Sequence, residues 1–185
     1  MDLQHLSFKL FVEPSAINLE EYVGIFNGWI QEQATEELLV DVADYRHVYA
    51  GPGIILVGHE ANYSLDNAGN RLGLLYSRKA QVSGETRDKL TQAARAALIA
   101  ARKLEREQGL KFNGQEAQVI VNDRLIAPNT PEMFAALGPE LRTFFDQLYE
   151  GASYTLEHNA DPRERFTVEA KASVDFDLGI LLGNL

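Results

Sequence analysis

The chain contains no cysteine. Disulfides and thiolate metal centres are therefore excluded, and a reducing, cytoplasmic setting is the expectation. No apolar run approaches the ~18 residues that span a bilayer. The first residues, Met1-Asp2-Leu3-Gln4-His5, have no basic stretch ahead of an apolar core, so no secretion signal is expected. Phosphate-cradling glycines are missing as well, since Gly51-Pro52-Gly53 and Gly24…Gly28 have the wrong spacing and context. There is no Gly-x-Ser-x-Gly elbow. His59-Glu60 is followed by Tyr63 where a zinc helix would need its second histidine. Positive charge is scarce, with Lys+Arg 17 against Asp+Glu 27 and a formal net charge of −10. A field of that sign repels phosphate backbones and anionic lipid, so neither nucleic acid nor membrane is an expected partner. No cofactor and no metal are implied.

What is present reads as one globular domain over 1–185. Hydrophobic residues make up 45% and charged residues 24% of the 185, ordinary values for a chain able to bury a core. Ser7 to Val12 reads as a strand ended near Pro14. A helix follows, with Asn18 as N-cap, Glu21 completing a capping box, and Leu19, Tyr22, Val23, Phe26, Trp29 and Ile30 on one face. Strands are predicted over 37–49, 54–62 and 72–80, separated by Gly51-Pro52-Gly53 and Asp66-Asn67-Ala68-Gly69-Asn70. In the first of these, Leu38, Val40 and Val42 alternate and are expected to face the core. A long helix runs from Ser83-Gly84 to about Gln108, stopped by Gly109. A strand over 117–126 precedes a helix capped by Thr130 with Pro131 in its first turn, which Gly138-Pro139 is expected to break. Two strands end the pattern, the second alternating Phe166, Val168, Ala170 and Ala172 against a wet face of Arg165, Thr167, Glu169 and Lys171.

This order predicts an α+β two-layer sandwich, with a mainly antiparallel sheet of about six to seven strands and three helices, one broken, on one face. Up to the fifth strand the element order resembles a ferredoxin-type βαβ arrangement with an added strand.

Three features bear on function. If Leu38, Val40 and Val42 face inward, Asp41, Tyr45 and His47 share the opposite face, with one of His59 and Glu60 and with Arg71 on neighbouring strands. Gly58 and Gly73 would leave a depression beside them. Imidazole, carboxylate and phenol together suit the binding of a small polar or acidic molecule, or acid–base chemistry without an organic cofactor. The bland alternative is a solvated sheet face. Second, Ile99 stands in the polar arc of the long helix among Arg95, Arg102, Lys103 and Arg106, on a basic element of an acidic chain. That pattern is usually solvent-facing, and otherwise a contact with a second copy. Third, the C-terminal stretch containing Ile180, Leu181 and Leu182 is too apolar for a free tail. It is expected to pack on its own core or on another subunit. Ligand binding on the sheet, homo-oligomeric assembly and cofactor-independent catalysis are thus the competing readings, and no nucleophile–base pair is visible to favour the last.

Overall fold

In a computed structural model, which describes residues 2–185, the elements are β1 (Leu6–Val12), α1 (Glu21–Glu32), β2 (Leu39–Tyr45), β3 (Gly53–Gly58), β4 (Ala61–Asp66), β5 (Gly73–Arg78), α2 (Thr86–Gln108), β6 (Phe112–Val121), α3 (Pro131–Leu148), β7 (Tyr154–His158), β8 (Phe166–Ala172) and α4 (Leu178–Asn184). The strands form one antiparallel sheet in the order β2-β3-β4-β5-β1-β6-β8-β7. Alternation decides which face is covered. Leu6, Phe8 and Leu10 of β1, Tyr63 and Leu65 of β4, Leu74 and Tyr76 of β5, and Phe166, Val168 and Ala170 of β8 point into a core shared with the helices. Phe8 meets Phe144 of α3 edge-on, with ring centroids 6.0 Å apart. The fold is the expected two-layer α+β sandwich.

The element count differs from the sequence reading in three places, each for a local reason. The predicted strand over 54–62 is two strands, β3 and β4, joined by a tight turn at His59-Glu60. That turn follows Gly58, where a Cβ would stand 2.5 Å from the Ala61 carbonyl oxygen. The Pro139 break does not occur. α3 runs through it because Leu137, Leu141, Phe144, Phe145 and Leu148 keep one buried stripe in phase, while the Ala135 carbonyl that loses its partner lies on the exposed side. Gly138, lacking a Cβ, also escapes the clash that proline imposes on its predecessor. The apolar C-terminal stretch is a fourth helix, α4. Asp177 caps it through the Gly179 amide at 2.7 Å, and it packs against α2 and α3.

β2 is out of phase with the prediction at its start. A bulge between Leu39 and Asp41 shifts the alternation by one residue. Leu39 therefore takes the core position at 2% exposure, while Leu38 and Val40 stand out at 58% and 52%. Only Val42 of the expected trio packs against the core.

Candidate functional site

The six residues singled out on the sheet do not form one cluster. Asp41 is exposed on β2 and accepts the Val42 amide at 2.8 Å. Tyr45 ends β2, and its ring stacks on His47 of the following turn with centroids 6.1 Å apart. His59 and Glu60 occupy the β3–β4 turn, at the other end of the six-residue β3, roughly 20 Å away along the strand. The two histidines therefore cannot share a small ligand. Glu60 lies 3.5 Å from Arg78. Among the described residues no group of three or more His, Asp or Glu side chains is arranged to hold a metal ion.

Arg71 belongs to a different place, the sheet face that carries no helix. Its guanidinium covers the Phe11 ring at 3.8 Å and is held by Glu116 and by Glu169, the latter at 2.8 Å. Beneath it lies Lys9, 1% exposed although no helix covers this side of β1. Gly73 explains how the lysine fits, because the Lys9 stem occupies the space that a Cβ on Gly73 would need. Its ammonium donates to Asp66 at 2.6 Å. Burial pushes the Lys9 ammonium below its ordinary value, against the opposing pull of Asp66. A cavity of about 310 Å³ opens here between the Ala68-Gly69 turn and the loop carrying Asn159 and Glu164. The depression expected at Gly73 is thus filled by a buried ion pair.

The basic stripe of α2 leads to the better-formed site. α1 rests on β2 and β3, and α2 on β1 and β5. The helical layer is therefore thin over β4, which lies between β3 and β5. A groove of about 310 Å³ occupies that gap, between α2 and the 34–37 loop. Gln92, Arg95, Ala96, Ile99 and Lys103, spaced three and four apart, form its α2 wall. The lone isoleucine among basic neighbours is the side of a concavity. Arg102 instead turns toward α4, where its guanidinium lies beside Gly179. Leu181 is 1% exposed and packs into the chain's own core, Leu182 is partly buried there, and Ile180 remains exposed.

The groove floor is Glu37, a buried carboxylate. The Tyr63 hydroxyl donates to its Oε2 at 2.7 Å, and the Tyr76 hydroxyl donates to its Oε1 at 2.9 Å. Gln92 Nε2 donates in turn to the Tyr76 oxygen at 2.8 Å. The two phenol rings meet edge to face, 5.1 Å apart. Burial first, and then the Glu37 charge, push the Tyr63 phenol well above its ordinary value. Tyr76 is pushed up to about 12, again mainly by burial. Glu37 and its tyrosines escaped sequence reading, because Glu37 looks no different from exposed Glu36 beside it. The one available signal was that tyrosines at core-facing strand positions need buried acceptors for their hydroxyls. No known family model matches this sequence, and no curated protein matches it, so function rests on the chemistry of the site itself.

Proposed function

We propose that this protein binds a small molecule in the groove between α2 and the 34–37 loop. The observation that carries the reading is the placement of Glu37: a buried carboxylate, fixed by two phenol hydroxyls, at the floor of a recess walled by Ala34, Ala96, Ile99 and Ala100. A concavity that joins apolar side chains to convergent polar groups is the usual make-up of a ligand site, and here Glu37 and Gln92 meet an alanine and isoleucine wall within a charged rim. The volume suits a ligand on the order of ten heavy atoms, at roughly 30 Å³ for a water-sized unit. The test is saturation-transfer NMR with a fragment library, on wild type and on Ala96→Phe, which fills the groove from a half-buried position on α2. Wild type is expected to bind a subset that Ala96→Phe loses, with unchanged circular dichroism. Identical binding sets for the two proteins would overturn the reading.

A second reading keeps the ligand on the uncovered sheet face. Its support is the Lys9–Asp66 pair, an ionic group buried where no helix requires it, under Arg71. Arg71→Met is the matching variant, and a polar or acidic fragment that it alone releases would favour this face. Assembly as a homo-oligomer draws less support, since Leu181 is consumed by the chain's own core. We read the middle strands β4, β5, β1 and β6, with α1 and α2, as a ferredoxin-type unit widened by a hairpin at each edge. A cytoplasmic setting fits the cysteine-free sequence.

A further inference from the structure

Resting on the groove reading above, we infer that the occupant is an organic cation: a primary or secondary ammonium joined to a compact apolar body. Glu37 has acceptor positions that no donor among the described residues fills. A carboxylate offers about four acceptor positions, and the Tyr63 and Tyr76 hydroxyls fill one on each oxygen. No ion pair to Glu37 forms among the described residues, although cations are close. Lys103, on the groove wall, turns its ammonium to Glu107 at 2.6 Å and lies over the Trp29 ring. Arg78 donates to the Ala80 carbonyl, faces Glu60 and reaches the Tyr76 hydroxyl, so it touches the Glu37 network through that phenol without pairing with the carboxylate itself. A carboxylate withdrawn from water without a cation is costly. Glu37 lines the groove, and that void is where the missing cation fits.

The remaining walls agree. Glu36 and Asp88 add negative charge to the lining, and Gln92 spends its amide donor on Tyr76, which leaves its Oε1 as a further acceptor. An ammonium with two or three N–H groups would find Glu37 and Gln92 together, while an anionic head that reached the same buried end would meet the Glu37 charge. Ala34, Ala96, Ile99 and Ala100 supply the apolar surface for the body of the ligand. Arg95 and Lys103 belong to the same wall, and they weigh against a dication.

Three probes of one size decide the matter: 2-phenylethylamine, 2-phenylethanol and phenylacetate, titrated by ligand-observed NMR at pH 7 against wild type, Glu37→Gln and Ala96→Phe. In wild type the amine is expected to bind at least tenfold more tightly than the alcohol, and phenylacetate more weakly than either. Glu37→Gln should remove the amine's advantage over the alcohol. Ala96→Phe should lose both. If amine and alcohol bind wild type equally and Ala96→Phe loses both, the cation inference falls and the groove reading stands. If no probe binds wild type, or Ala96→Phe binds as wild type does, the groove reading falls and takes the inference with it. The wild-type comparison decides even where Glu37→Gln fails to fold.

Discussion

Single ionisable side chains set how this fold responds to pH. Tyr63 and Tyr76 have folded values raised above that of an unfolded tyrosine. A raised value means that the folded state holds its proton more firmly. The stabilisation is therefore complete below about pH 10 and is lost as pH rises toward 12. Urea titrations at pH 8 and pH 11 should show this loss, and Tyr63→Phe/Tyr76→Phe should show a smaller one. His158 behaves in the opposite sense. It stacks on Phe134 at 4.9 Å, lies beside Phe166, and bonds Asn129 at 2.8 Å. Burial depresses its folded value, so the unfolded chain takes up the proton first as pH falls below about 6.5, and stability declines there. His158→Gln should flatten the profile between pH 7 and pH 5 in thermal melts. Lys9 and Asp66 answer to substitution. Lys9→Met leaves a buried carboxylate alone and should cost about 3–5 kcal/mol, most of which the Lys9→Met/Asp66→Asn double variant should restore.

At the level of elements, α3 shows where local sequence rules lose to packing. Its proline forfeits one backbone hydrogen bond, yet the five-residue apolar stripe from Leu137 to Leu148 holds the helix together. Pro139→Ala, at an exposed position, should therefore stabilise the protein, by about 1–3 kcal/mol in denaturant unfolding. Two helix ends with a chemical signature were legible: Thr130 accepts the Met133 amide, and Gly109 ends α2 in the left-handed region at φ 68°. Two helix starts were not, since α1 follows Glu20 rather than the expected Asn18 cap, and α2 is capped by Glu85 with Asp88. Strand ends without such a signature were not legible either. The His59-Glu60 turn carries no asparagine, proline or central glycine, and the bulge after Leu39 leaves no trace in composition. Period-two reasoning therefore put β3 and β4 on one line and inverted the first part of β2.

At the scale of the whole molecule, the groove is a product of topology. The chain leaves β1 at the sheet centre, crosses under α1 to the β2 edge, and returns strand by strand to β5 before α2 begins. The two helices thus land on either side of β4, and the residues that meet in the gap come from positions 37, 63, 76 and 92. No spacing rule links them. Sequence reading singled out Ile99 and its basic neighbours, as a solvated face or a contact with a second copy rather than a groove wall, and gave no sign of the carboxylate opposite. It placed Asp41 and Tyr45 on the uncovered face, yet joined His47 to His59 across a distance that only the hairpin's length reveals. The most direct measurement is amide chemical-shift mapping of the ¹⁵N-labelled protein as 2-phenylethylamine is added. The expected perturbations run through residues 34–37 and 91–103. Shifts confined to the opposite sheet face, around Arg71, Gln118 and Glu169, would contradict the assignment.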